Sequence, residues 1–139
     1  METVLITQAR TGSTRLPNKV LLKIGEKELL KIHLERLSRA KHIDKIIVAT
    51  TNSSDDDTIE KLCFDWNIEC FRGSEHDVLD RFYNAAKTKE PKWVVRVTSD
   101  CPLIDSDMID AVIYLAKLND VDYAANILEE RFPDGQDVE

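Results

Sequence analysis

Short β-branched apolar runs alternate along this chain with stretches whose apolar residues recur at helical spacing. The runs are Thr3–Thr7 (Thr-Val-Leu-Ile-Thr), Ile46–Thr51, Ile68–Phe71 and Trp93–Thr98, with Val121–Ala124 a weaker fifth. Continuous runs of this kind predict strands buried on both faces of a parallel sheet. Between them, Ile59, Leu62, Cys63 and Trp66 fall at i, i+3, i+4 and i+7, one face of a helix. Val78, Leu79, Phe82, Tyr83 and Ala86 form a second such stripe, and Met108, Ile109, Val112, Ile113 and Ala116 a third. Leu30, Leu34 and Leu37, widened by Leu29 and Ile32, mark an earlier helix. Asp55–Asp57 and Asp105 stand where they can cap and charge helix N-termini, and Gly73-Ser74 breaks the chain before the third helix.

Strict alternation of strand and helix argues for right-handed βαβ units, hence an α/β fold with a mostly parallel sheet. No internal repeat or low-complexity linker interrupts it, so residues 1–139 read as a single nucleotide-binding domain. In open parallel sheets ligands bind beyond the carboxyl ends of the strands. The residues just after each run are therefore the ones to search for chemistry.

Composition narrows the search. The chain is 42% hydrophobic and 32% charged, which fits a globular protein and argues against disorder. Its formal charge of −7 disfavours broad binding to nucleic acid, which needs many cations on phosphates. A small anion in a locally basic pocket remains compatible with it: Arg10, Arg15, Lys19 and Lys23 fall in a stretch with no acidic residue between Thr3 and Ile24. Cys63, Cys70 and Cys101 form no C-x-x-C pair, which argues against a disulfide scaffold or zinc site and suits a reducing cytoplasm. The sequence shows no signal peptide and no apolar run near the ~20 residues that span a bilayer, so no membrane partner is expected.

The first run exits into Gln8-Ala-Arg-Thr-Gly-Ser-Thr-Arg-Leu-Pro-Asn-Lys19. Neither common glycine-rich phosphate motif is present, yet the ingredients are: Gly12 for close backbone approach, the Ser13 and Thr14 hydroxyls, and Arg10, Arg15 and Lys19 to converge on a polyanion. Composition alone is equally consistent with a solvated basic loop; its position after a first parallel strand favours phosphate. The run at Trp93–Thr98 ends in Ser99-Asp100-Cys101-Pro102, where the Asp100 carboxylate can hold Mg²⁺ against phosphate oxygens or make an Asx turn. Arg96, inside an apolar run, needs a carboxylate or phosphate partner, or a salt bridge on a sheet edge. Arg72 is assigned to the ligand, while Asp77 and Arg81 have the i, i+4 spacing of a plain helix ion pair. Capping explains Asp55–Asp57 without any ligand, and His33, His42 and His76 are read as structural or surface residues.

Together these segments resemble the sugar cytidylyltransferases, most closely the spore-coat polysaccharide branch related to the acylneuraminate and 3-deoxy-manno-octulosonate cytidylyltransferases. The resemblance is carried by Gln8–Lys19, Val48–Thr51, Phe71–Leu79, Arg96–Asp105 and Phe132–Glu139, in order along the chain. It implies a Rossmann-like three-layer α/β/α nucleotidyltransferase fold, truncated at its C-terminus, and transfer of CMP from CTP to a sugar, with acidic sugars as candidates, and release of pyrophosphate. It also implies Mg²⁺ as cofactor, a role in surface polysaccharide synthesis, a cytoplasmic location and a homodimer in the full-length form. Gln8, Arg10, Gly12, Ser13, Arg15 and Lys19 would cradle the nucleotide, Arg72 would lie near its cytosine or ribose, and Asp100 would hold the metal. Lys19, Arg15 and Asp100 would carry the catalysis. Two positions depart from the family pattern: Asn18 and Ser99 each stand where glycine is usual, and asparagine, like glycine, tolerates positive φ. The alternatives in other classes are a nucleotide-binding module without full activity and a nucleotide-sugar-dependent glycosyltransferase.

Overall fold

A computed structural model of the chain describes residues 2–129 and 131–139. Its elements in order are β1 (Thr3–Gln8), β2 (Lys23–Ile24), β3 (Lys27–Glu28), α1 (Leu29–Leu37), β4 (Lys45–Thr51), α2 (Asp57–Asp65), β5 (Glu69–Gly73), α3 (Val78–Lys87), β6 (Trp93–Thr98) and α4 (Ser106–Asn119). Four strands form a parallel sheet in the order β5-β4-β1-β6, with Gln8 of β1 in register with Ala49 of β4 and Thr98 of β6. The chain steps outward from β1 to β4 to β5 and then returns across the sheet to β6. That return makes a topological switch point between β1 and β6, and the loops leaving those two strands part there.

The apolar runs become strands because both faces of the sheet are covered. Leu5, Val48, Val95 and Val97 pack against Leu30, Leu34 and Leu37 of α1, Ile59 and Cys63 of α2, and Ile109 and Ile113 of α4. Val4, Ile6, Ile47 and Ala49 point the other way, onto Phe82 and Ala85 of α3. This is the three-layer α/β/α arrangement that the family resemblance implied. Each fully buried aliphatic side chain contributes on the order of 2 kcal/mol, so the β1 run anchors both layers. All three cysteines are free thiols.

Two local expectations are corrected, and a hairpin appears that the sequence did not announce. Val121–Ala124 is not a strand: α4 ends in Asp120 with φ of 49°, and Val121, Asp122 and Tyr123 lie exposed. The outer edge of β6 is met instead by Glu139, which exchanges both backbone hydrogen bonds with Arg96 and pairs with its guanidinium at 2.6 Å. The apolar stripe proposed for α3 is not its buried face, since Leu79 and Tyr83 are 80% and 61% exposed while Arg81, Phe82 and Ala85 are buried. The helix is rolled so that an arginine faces inward. Finally, the two-residue strands β2 and β3 form an antiparallel hairpin turning at Gly25, whose φ is 65°. Strands that short carry no periodicity to read.

Candidate active site

Beyond Gln8 the chain leaves the sheet and is pinned at once. The Thr11 N–H and hydroxyl both donate to Asp56 Oδ1 at 2.8 Å, and the Thr51 hydroxyl donates to Asp56 Oδ2. Burial opposes ionisation of Asp56, but these bonds outweigh it and hold its carboxyl below the ordinary range. Asp56 stands at the N-cap position of α2, but its side chain makes no capping bond and serves instead as a buried buttress under the loop; Ser53 caps only the 3-10 turn Ser54–Asp56 before the helix, by accepting from Asp55 N. The Thr11 carbonyl then closes the loop by accepting from Ser13 N and Asn18 N. Asn18 takes φ of 56°, the left-handed conformation for which asparagine can replace glycine. The chain turns there into a short 3-10 segment, Lys19–Leu21, which presents the Lys19 side chain to the interior of the loop.

The facing wall comes from the end of β6. Ser99 is buried, and Asp100 follows it at the mouth. Lys19 Nζ donates to Asp100 Oδ2 at 2.6 Å. Partial burial disfavours the Asp100 carboxylate, but the Lys19 ammonium more than compensates, so its carboxyl titrates below the usual range. Behind this wall His33 is completely buried, with Nε2 3.1 Å from Thr7 Oγ1 and Nδ1 2.9 Å from the Cys101 carbonyl. The structural role expected for His33 is thus specific: it ties β1 to the backbone beside Asp100.

Between these walls lies a cleft of about 260 Å³. Gln8, Arg10, Ser13, Arg15, Lys19 and Asp100, all named from the sequence, line it together. Gly12 is exposed in the same loop, with open space where a Cβ would project. Arg10 and Arg15 reach the cleft without an ion-pair partner among the described residues. Arg72 is not part of this assembly. Its guanidinium is held by Asp57 at 2.6 Å and Glu60 at 2.9 Å, and by the Thr51 and Ser53 carbonyls. It locks β5 to the start of α2, and four of its five N–H donors are engaged there, away from the cleft.

Sequence reasoning missed Arg81. The helix ion pair with Asp77 does not form: Asp77 caps α3 by accepting from Asp80 N, and Arg81 lies in the cleft wall, 2% exposed. Burial, with Arg10 nearby, lowers its guanidinium pKa. The readable signal was Gly73. A Cβ there would sit 2.9 Å from Arg81 Cγ and 3.1 Å from the Phe71 ring, so only glycine lets the arginine pass.

A profile of the cytidylyltransferase family matches residues 4–132. This chain belongs to the cytidylyltransferase family. Among its relatives are the spore coat polysaccharide biosynthesis protein SpsF of Bacillus subtilis, 39% identical over 79% of this chain and 48% of that protein, and a 3-deoxy-manno-octulosonate cytidylyltransferase of Hydrogenovibrio crunogenus, 34% identical over 88% and 50%. A cytidylyltransferase structure from Leptospira borgpetersenii superposes with a TM-score of 0.92 at 37% identity, covering 99% of this chain and 59% of that one. The cytidylyltransferase chain spans about half the length of the curated relatives it matches. Among its described residues no helix is long and apolar enough to cross a membrane.

Proposed function

We propose that this chain carries the CTP site of an enzyme that transfers CMP to the hydroxyl of a sugar. The sugar oxygen forms a bond to the α-phosphorus, the bond from that phosphorus to the bridging oxygen of the β-phosphate breaks, pyrophosphate leaves with that electron pair, and the hydroxyl proton passes to solvent. The observation that carries this reading is the convergence of Arg10, Arg15 and Lys19 with Asp100 across the switch point of the sheet. Phosphoryl-type transfer depends mostly on positioning and on neutralising charge, which is what this cleft offers. In it Lys19 and Arg15 face the departing pyrophosphate, and Ser13 with the loop backbone orients the chain of phosphates. The acceptor is an acidic sugar destined for a surface polysaccharide, in keeping with one relative being a 3-deoxy-manno-octulosonate cytidylyltransferase and the other a spore coat polysaccharide biosynthesis protein.

Asp100 also fits Mg²⁺. It is an ionised carboxylate at the cleft mouth, and no group of three or more metal-ligating side chains occurs among the described residues. Mg²⁺ is commonly held in this way, by one or two carboxylates with the remaining positions filled by phosphates and water. When bound it would offset negative charge on the phosphate oxygens.

Calorimetric titration with CTP, UTP, ATP and GTP, each with and without Mg²⁺, tests the reading. CTP is expected to bind in preference, and Asp100→Asn and Lys19→Ala are each expected to weaken the metal-nucleotide complex by about tenfold or more. Indifference to the four bases would sink it. A second reading, nucleotide binding without turnover by these residues alone, is favoured by the half-length coverage of the relatives. Release of pyrophosphate in the presence of candidate acidic sugars separates the two.

A further inference from the structure

Arg81 is the most deeply buried cation of the cleft. Its Nη1 donates to the Ser74 carbonyl, its Nη2 lies 3.3 Å from Gln8 Oε1, and its buried Nε has no protein partner. A guanidinium can only donate. Gln8 must therefore turn its amide oxygen toward Arg81, which leaves its NH₂ as the end available to a ligand. The arginine is itself held in place, by the Ser74 carbonyl on one side and by the room that Gly73 leaves on the other.

The position of this pair matters as much as its chemistry. Lys19 and Asp100 occupy the β6 side of the cleft, whereas Arg81 comes from α3, on the far side of β1 toward β4 and β5. A triphosphate bound by Lys19 and the loop leaves the Gln8–Arg81 end for the nucleoside. Resting on the CTP reading above, we propose that Gln8, oriented by Arg81, reads the nucleobase by presenting donors to its edge. Cytosine offers acceptors at both O2 and N3, so it satisfies the two hydrogens of the Gln8 NH₂. Uracil carries a hydrogen on N3 and sets donor against donor. Gln8 is then a specificity residue in contact with substrate, and Arg81 chiefly a positioning residue.

The test is the ratio of CTP to UTP affinity, measured calorimetrically in Mg²⁺ for the unmodified protein, Gln8→Leu, Arg81→Met and Arg81→Lys. Both nucleotides carry the same triphosphate, so changes in phosphate binding or folding cancel in the ratio. Gln8→Leu is expected to reduce the preference for CTP about tenfold, as befits the loss of a buried base contact. Arg81→Met should reduce it as well, and Arg81→Lys, which can still donate to Gln8, should restore part of it. A Gln8→Leu protein that keeps the original ratio overturns the inference while leaving the CTP reading intact. An unmodified protein that shows no preference overturns the CTP reading itself. Should Arg81→Met fail to fold, Gln8→Leu decides the matter alone, since that side chain is only half-buried.

Discussion

The tautomer of His33 follows from its two partners. The Cys101 carbonyl can only accept, so Nδ1 carries the hydrogen and Nε2 accepts from the Thr7 hydroxyl. Burial lowers the pKa of this imidazole, more than its bond to the Cys101 carbonyl and the nearby Asp100 raise it. The sign is then fixed. The stabilisation from the neutral ring is complete above the unfolded value of about 6.5, and it drains as pH falls because the unfolded chain takes up the proton first. Stability is therefore expected to fall between about pH 7.5 and about pH 5.5 on account of His33. Urea unfolding at the two pH values should show that loss in the parent protein and a flatter response in His33→Gln; equal slopes would remove the assignment. His33 falls on the apolar face of α1, and nothing in its sequence neighbours points to Thr7 or Cys101. Asp56 was hidden in the same way. Three consecutive aspartates before a helix read as a cap, and only the folded chain shows that the middle one reaches back to the loop after β1.

At the scale of elements, β5 and α3 are fitted together through one missing methyl group. Alanine at Gly73 must displace either the Arg81 stem or the Phe71 ring, and overpacking of this kind costs about 1–3 kcal/mol. Gly73→Ala is expected to lower the unfolding midpoint and also to weaken CTP binding, through the shifted arginine. Thermal denaturation alongside calorimetry would separate the two effects, and unchanged CTP affinity would detach Arg81 from the ligand. The contrast between elements explains what the sequence disclosed. The four long strands and the helices α1, α2 and α4 were legible because burial on a continuous face forces a periodic pattern. The loop from Gln8 to Lys19 and Asp100 were legible because their chemistry sits at strand ends, where parallel sheets expose it. The buried face of α3 was not, because a polar residue facing inward toward a ligand cleft breaks the apolar stripe that reveals a helix. Arg72 shows the converse: it stands at a strand end, yet it lies outside the cleft and pairs with Asp57 and Glu60 from a helix earlier in the chain.

The molecule as a whole is acidic, with a formal charge of −7, while Arg10, Arg15, Lys19 and Arg81 gather at one cleft beside Asp100 alone. Attraction of a polyanion to such a site must act locally against a repulsive background, and salt weakens it. Raising ionic strength from about 0.1 M to about 1 M shortens the screening length from roughly 10 Å to roughly 3 Å, and CTP affinity should fall about tenfold or more over that range. A dissociation constant that stays flat would mean that the cations do not carry the binding. The ion pair of Lys19 and Asp100 has a further consequence. Each of the two is already neutralised by the other, so an anion that captures Lys19 strands a carboxylate, and a cation that captures Asp100 strands an ammonium. Only a ligand carrying both signs replaces both halves at once. On the proposed reading the cleft would behave as a two-key lock: whichever charge arrives first would raise the affinity for the second, and by reciprocity the second would raise the affinity for the first by the same factor.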